Sequence, residues 1–331
     1  GQTVTVTINS VADTCTVSSN SCAATIAAAD LQALSDGTTY TIYVDVADAA
    51  GNSATPASVT ILLDTTDPTT TISITSITDD TGSSSSDFIT NDASSTIGAT
   101  LSAALATGET LQISINAGSS YADDDHNTGG GTGVTAAGYT LSGTSSIKIR
   151  VEDAAGNTGS VATQAYTLDT ADPSISSVEA SWGAYLNAAE DNSDGTITVV
   201  TSGVEDDETV TITGNGDFPT DTCTIDDNTC IATIAGADLR ALADGTTYTI
   251  TVNVDDLAGN SATADTGDTF VYDKTAPTIS TVVFASGAYV NDAEDESAIN
   301  LVITMSDNTA NGRVATATLN SADYVCTIST T

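Results

Sequence analysis

Positive charge is nearly missing from this chain of 331 residues: five basic side chains (Lys148, Arg150, Arg240, Lys274 and Arg313) stand against 44 acidic ones, for a formal net charge of −39. The five are scattered, which argues against nucleic acid or an anionic membrane surface as a partner. Aromatic residues make up only 5% of the chain, and His126 is the single histidine. A cleft walled by rings is therefore not expected, and His126, in a glycine-rich stretch, reads as a solvated loop residue rather than a catalytic base. Paired acids alone do not make a glycosidase, and the sole tryptophan, Trp182, is expected to pack at a sandwich edge or a junction rather than stack on a sugar. The expectation is that the chain is not an enzyme. No apolar run reaches the roughly 18 residues of a membrane-spanning helix, and no charged-then-apolar leader opens the chain, so no membrane insertion is expected.

What is abundant is Thr, Ser, Ala, Val, Ile, Gly and Asp, a composition suited to thin β-domains with small cores. Two phrases recur through it. Asp153-Ala-Ala-Gly-Asn157 leads to Asp169-Thr-Ala-Asp-Pro173, as Asp48-Ala-Ala-Gly-Asn52 leads to Asp64-Thr-Thr-Asp-Pro68 and Asp256-Leu-Ala-Gly-Asn260 to Asp273-Lys-Thr-Ala-Pro277. The prolines repeat after 105 and then 104 residues, too long a period for a solenoid and right for one independently folding domain. The expected division is a partial domain over 1–67 (its C-terminal part), whole domains over 68–172 and 173–276, and a partial domain over 277–331 (an N-terminal part). Aligning Cys15 with Cys326 makes the two ends the same part of two different domains. The chain therefore reads as a window on a longer array, with a further cysteine expected seven residues beyond Cys326.

Within each period the alternation of apolar and polar residues marks strands: Thr3 to Ile8, Thr41 to Val46, Thr71 to Thr75, Leu111 to Ile115 and Ile147 to Val151. Ala27 to Leu34 reads as one helical turn, Asp79 to Asp87 as a polar loop, and Asp123 to Gly131 as the longest irregular loop. Two cysteine pairs share the spacing Cys-x6-Cys, Cys15 with Cys22 and Cys223 with Cys230, each with turn-forming residues between. A cross-strand disulfide closing a hairpin is the natural reading, placing the chain in an oxidising, extracytoplasmic setting; the alternative is free thiols on a reduced hairpin. Zinc is disfavoured, because no histidine or further cysteine pair has the spacing. Leu34-Ser-Asp-Gly-Thr-Thr-Tyr40 and Leu242-Ala-Asp-Gly-Thr-Thr-Tyr248 resemble the tyrosine corner of immunoglobulin-like sandwiches, with Ile147 in place of the tyrosine in the middle repeat.

Together with Thr78-Asp-Asp-Thr-Gly-Ser-Ser-Ser-Ser-Asp-Phe-Ile-Thr90, these phrases resemble the bacterial immunoglobulin-like tandem repeats of very large, calcium-dependent surface adhesins and cell-surface filaments. The resemblance implies an all-β fold class of tandem immunoglobulin-like β-sandwich domains in a linear rod, secretion to the bacterial cell surface, and Ca²⁺ at the junctions. Topology gives a separate reason to expect a cation: the last hairpin loop of such a sandwich lies at the same end as the domain's own N-terminus. Asp153 and Asn157 should then face Asp64 and Asp67, and Asp256 and Asn260 should face Asp169 and Asp172. Two carboxylates about 5 Å apart repel by roughly 3 kcal/mol at an effective dielectric of about 20, and hard oxygen ligands at that density suit Ca²⁺. Asp273 begins the third such segment, where Ala276 replaces the second acid and weaker binding is expected. Asp79 and Asp80, and likewise Glu190 and Asp191, are candidates to complete the shells; the competing reading is a solvated turn residue.

The function expected is that of an extracellular structural protein: a calcium-stiffened repeat stalk of a bacterial surface adhesin or the body of a surface filament. Its partners would be other cells or surfaces, reached through regions outside these residues, and neighbouring copies in a filament. The alternative is an array of carbohydrate- or protein-binding modules attached to an extracellular enzyme. An exposed aromatic platform repeated in each domain would mark that alternative, and the sequence has none.

Overall fold

The computed structural model describes residues 1–124, 131–265, 268–291, 297–306 and 312–329. They form two compact units. The first comprises Gly1–Pro173 with Gly203–Glu208 and Asp255–Ala262, and the second Ser174–Ser202, Thr209–Val254 and Thr263–Thr331.

The first unit opens with β1 (Thr3–Ile8), β2 (Val11–Thr16), the short helix α1 (Ala28–Gln32), β3 (Thr38–Val46) and β4 (Ala57–Leu63). The strands make one antiparallel sheet in the order β2-β1-β3-β4. Asn9 and Ser10, at φ 47° and 67°, turn β1 into β2, the left-handed pair of angles that a two-residue hairpin requires. Eight strands follow: β5 (Ile72–Ile77), β6 (Ile89–Thr90), β7 (Ser94–Leu101), β8 (Thr110–Ser114), β9 (Ala122–Asp124), β10 (Gly133–Thr140), β11 (Thr144–Glu152) and β12 (Ala162–Leu168). They form the sheets β10-β7-β5 and β6-β12-β11-β8-β9. The core between these sheets takes Ile97, Ala99 and Leu101 from β7 and Leu111, Ile113, Ile147, Ile149 and Val151 from β8 and β11. In β11 the period of two is strict: Ile147, Ile149 and Val151 are fully buried while Lys148 and Arg150 between them reach solvent.

The second unit repeats that plan with β13 (Ser174–Ala180), β14 (Tyr185–Leu186), a 3-10 turn (Glu190–Asn192), β15 (Gly195–Ser202), β16 (Thr209–Gly214), β17 (Asp221–Thr224), β18 (Thr229–Ile234), α2 (Gly236–Ala241), β19 (Thr246–Asn253) and β20 (Thr269–Tyr272). Its sheets are β13-β15-β18 and β14-β20-β19-β16-β17. Rings dominate its core: Tyr248 stacks on Phe270 at 5.4 Å and Trp182 meets Phe270 edge-on at 5.2 Å, so the tryptophan is a packing residue. Two ribbons complete the unit, β21 (Ile279–Phe284) with β22 (Leu301–Met305), and β23 (Val314–Leu319) with β24 (Ala322–Thr327).

The all-β expectation holds, and every strand read from alternation is a strand. One expectation needs correcting. Asp123 and Asp124 belong to β9 and not to an irregular loop; Asp124 is buried and accepts a 2.9 Å hydrogen bond from the Tyr139 hydroxyl. Burial and that carboxylate push the ionisation of Tyr139 well above the ordinary tyrosine range. The rest of that stretch, residues 125–130 with His126, lies outside the described residues, as do 292–296.

Candidate functional site

The Asp-x-Ala-Gly-Asn phrase folds into the same loop three times, and its composition follows from the hydrogen bonds it makes. The leading aspartate takes main-chain N–H groups on Oδ1: Asp153 accepts from Ala155 and Asn157, both at 2.9 Å, and Asp256 accepts from Asn260 at 2.8 Å. Its Oδ2 accepts from the asparagine side chain, at 2.9 Å for Asp48 with Asn52 and 2.8 Å for Asp153 with Asn157 and for Asp256 with Asn260. The glycine before that asparagine sits at φ 88°, 93° and 89° in the three copies, a backbone state that side chains disfavour. Donation from the asparagine side chain, first, and then from main-chain N–H groups holds the carboxyls of Asp48 and Asp153 below the usual carboxylate range.

The second amide hydrogen of the asparagine leaves the loop. Asn157 Nδ2 donates to the main-chain carbonyl of Asp64 at 3.1 Å, and Asn260 Nδ2 donates to that of Asp169 at 3.0 Å, both within the first unit. The same atom pair is thus made twice, across 93 and 91 residues of sequence. The side chains of Asp64, Asp169 and Asp273 cap their own turns: Oδ1 accepts from the N–H of Thr66 at 3.2 Å, Ala171 at 2.9 Å and Thr275 at 3.1 Å respectively. Asp67 and Asp172 are exposed, beside the buried Pro68 and Pro173. Among the described residues, no three side chains of His, Cys, Asp or Glu come together as a metal-holding group. The oxygens that do converge on the amides of Asn157 and Asn260 are one carboxylate and one main-chain carbonyl each.

The polar loop of residues 79–87 meets the loop of Asp256 to Asn260 through two residues that sequence reasoning passed over. Thr81 Oγ1 donates to the Ala258 carbonyl at 2.6 Å. Gly82, at φ 91°, lies so close to the Leu257 carbonyl that a Cβ there would collide with it, and a Cβ on Gly259 would stand 2.7 Å from the Gly82 nitrogen. Asp79 and Asp80 serve the loop itself instead: the Asp79 carbonyl accepts from the Thr90 hydroxyl at 2.6 Å, and Asp80 Oδ2 accepts from the Phe88 N–H at 3.2 Å. Burial raises the Asp80 carboxyl. In the second unit Glu190 takes the Asn187 N–H, whereas Asp191 is 5% exposed and accepts from the Tyr272 hydroxyl at 2.6 Å.

Burial, with the Asp191 carboxylate second, pushes the Tyr272 hydroxyl up to about 12. The folded value lies above the unfolded one, so the contribution is complete below about pH 10 and is lost as pH rises through about 12. Alkaline unfolding followed by circular dichroism should steepen in that window, and Tyr272→Phe should flatten it.

Both tyrosine corners are made: the Tyr40 hydroxyl accepts from the Ser35 N–H and the Tyr248 hydroxyl from the Ala243 N–H, each at 2.8 Å. Where Ile147 replaces the tyrosine, Tyr166 on the neighbouring β12 supplies the hydroxyl, accepting from the Ser142 N–H at 3.4 Å and donating to the Ile115 carbonyl at 2.9 Å. Cys15 is bonded to Cys22 and Cys223 to Cys230, with Cα atoms 5.8 and 5.6 Å apart. Asp227 and Asn228, both left-handed, form the turn between β17 and β18, which belong to different sheets, so this bond ties the sheets together. By the chain-entropy account its reduction should lower stability by about 2–3 kcal/mol, measurable by urea unfolding with and without reductant. Cys326 carries an exposed free thiol.

Among the described residues, no helix is long and apolar enough to cross a membrane. Comparison with solved structures returns adhesin repeats. A Ca²⁺-stabilized adhesin with which an Antarctic bacterium binds ice is 27% identical, covering 99% of this chain and 80% of that one at a TM-score of 0.36. A 1.5-MDa bacterial ice-binding adhesin is 25% identical over 83% and 87% at 0.36, and the tetra-tandem repeat in the extending region of a large adhesion protein is 20% identical over 99% and 81% at 0.34. No curated protein sequence matches. Residues 67–170 match the bacterial Ig-like domain family and residues 236–325 the bacterial Ig-like domain family of group 3. With two such domains matched in series on a sandwich framework that recurs with the repeat, the chain belongs to the bacterial immunoglobulin-like repeat proteins.

Proposed function

We propose that the chain is a stalk region of an extracellular bacterial adhesin, in which domains over 68–172 and 173–276, flanked by portions of others over 1–67 and 277–331, supply reach to a cell surface protein. The observation that carries this reading is the twice-made bond from a hairpin-loop asparagine to the carbonyl of the aspartate that opens the preceding linker, Asn157 to Asp64 and Asn260 to Asp169. A structural array needs each domain's loop fastened to the segment that enters it, and the Asp-x-Ala-Gly-Asn phrase is built for that. The matched families are not enzyme families, which supports a non-catalytic role.

Calcium stiffening is included in the proposal. The donor set fits a hard cation: carboxylate oxygen of Asp153 or Asp256, main-chain carbonyl of Asp64 or Asp169, and the asparagine side chain, whose amide when turned over presents oxygen in place of nitrogen. The exposed carboxylates of Asp67 and Asp172 would add charge. A bound Ca²⁺ would neutralise these oxygens and hold loop and linker together. Extracellular modules bind Ca²⁺ with Kd about 10⁻⁴–10⁻³ M, so a tenfold excess should add about 1.4 kcal/mol per site. Thermal melting of the chain in Ca²⁺ and in EDTA tests this: the expected result is a higher Tm in Ca²⁺ that shrinks in Asp67→Ala and Asp172→Ala, whose side chains take no share in the loop's own hydrogen bonds. Identical melting in both buffers would remove calcium from the account.

A further inference from the structure

The aspartate of the tyrosine-corner phrase does work that neither the corner nor a cation explains. Asp36 Oδ1 accepts from the Thr65 N–H at 2.6 Å and from the Thr65 hydroxyl at 3.0 Å, while its Oδ2 accepts from the Thr66 hydroxyl. Asp244, 208 residues later in the same phrase, accepts from the Lys274 N–H at 2.9 Å on Oδ1 and from the Thr275 hydroxyl at 2.7 Å on Oδ2. In each case the next glycine donates to the end of the last strand, Gly37 to the Leu63 carbonyl at 2.8 Å and Gly245 to the Tyr272 carbonyl at 2.7 Å, which sets the carboxylate beside the departing chain. The segment's own turn cooperates. Asp64 and Asp273 cap Thr66 and Thr275, the residues whose hydroxyls face the corner.

The middle repeat is the control. There the phrase shortens to Leu141-Ser142-Gly143, without the aspartate, and the residue matching Thr66 and Thr275 is Ala171. The acceptor and the hydroxyl of that second position are lost together, although Thr170 stands where Thr65 does. Gly143 offers only its carbonyl, which accepts from the Leu168 N–H at 3.0 Å.

We propose that Asp36 and Asp244 are linker-positioning residues, each paired with a threonine of the segment that leaves its repeat, so that the exits at 64–68 and 273–277 are clamped by a side chain of the repeat they leave, while the exit at 169–173 has no such clamp and is held only from the far side, by Asn260. Clamped and unclamped exits then alternate along the chain, and an array built this way has joints of two kinds. The hydrogen bonds from the Thr66 hydroxyl and Thr65 N–H for Asp36, and from the Lys274 N–H and Thr275 hydroxyl for Asp244, keep both carboxyls below the usual range, in the ionised state that grips. The inference rests on the reading of these segments as linkers between domains.

Residue-resolved amide exchange on the full chain tests it. In Asp244→Ala the Lys274 amide should exchange about five- to tenfold faster, the change expected from losing a hydrogen bond, and Asp36→Ala should do the same at Thr65, while the amide of Ala171 keeps its rate in both. Asp244→Ala combined with Thr275→Ala should equal Asp244→Ala alone, because one interaction is removed either way. Thr275→Val keeps the carboxylate and the shape and should still loosen Lys274, which covers the case in which the aspartate variant fails to fold. Unchanged exchange at Lys274 and Thr65, or additive effects of the two partners, overturns the clamp. Neither outcome depends on whether the chain serves as a stalk, which the calcium and melting measurements address separately.

Discussion

Truncating Phe270 to alanine should lower the stability of the second unit by about 3–5 kcal/mol, the largest effect expected of any single change to this chain. Phe270 is 2% exposed, and three rings converge on it: Tyr248 stacked at 5.4 Å, Trp182 edge-on at 5.2 Å and Phe218 edge-on at 6.0 Å. In a chain with so few rings, no neighbour of similar volume can fill the void. Domains of this size hold about 5–15 kcal/mol in total, so the loss approaches the whole margin. Urea unfolding measures it, and Trp182 reports it directly, since its emission should shift to the red as the edge contact opens. Phe270→Leu keeps most of the volume and should lose less than half as much.

The second large effect belongs to Gly82. Its replacement by alanine should cost about 2–4 kcal/mol, combining the strain of a side chain at positive φ with the collision against the Leu257 carbonyl. Gly51 separates the two causes: it sits at φ 88° with open space where a Cβ would go, so Gly51→Ala should show only the strain, about 1–2 kcal/mol. If the two variants lose the same stability, the close approach of the two loops contributes nothing. Faster amide exchange at Ala258 and Asn260 in Gly82→Ala alone would locate the damage at the contact.

Much of the fold was readable because period-two alternation and the turn residues Asn, Asp, Ser and Gly act over a few neighbours. Thr3 to Ile8 and Ile147 to Val151 are strands for that reason, and Tyr40 and Tyr248 announce their corners by the words around them. What escaped depends on residues distant in sequence. Tyr166 replaces the missing corner hydroxyl from another strand, and nothing near Ile147 signals it. Asp191 reads like any surface acid until Tyr272, 81 residues on, is found above it. The Asp-x-Ala-Gly-Asn loops stand out in the sequence by their recurrence, but a string of letters does not separate an aspartate that caps N–H groups from one that awaits a cation, because both need an exposed turn and an oxygen. Thr81 and Gly82 were overshadowed by the two acids before them for the same reason: charge density is visible in a sequence, close approach is not.

The crossing of the chain from one sheet to the other after β5, and again after β13, has a mechanical corollary. After β5 the chain crosses to the other sheet as β6 and pairs in parallel with β12, the Thr167 and Asp169 N–H groups donating to Phe88 and Thr90 at 2.9 Å. β14 and β20 do the same, through Val271 to Ala184 at 3.0 Å and Asp273 to Leu186 at 2.9 Å. Tension applied before β5 and after β12 loads β5 on β7 first and, once β5 gives, enters β6 at its start and leaves β12 at its end, drawing parallel neighbours in opposite directions. The bonds between them lie across the pull and bear it simultaneously, in shear, whereas an antiparallel hairpin loaded from its open end would unzip bond by bond. The final strand therefore cannot peel away before this short patch gives, and rupture is expected as a single high-force event at each of the two patches.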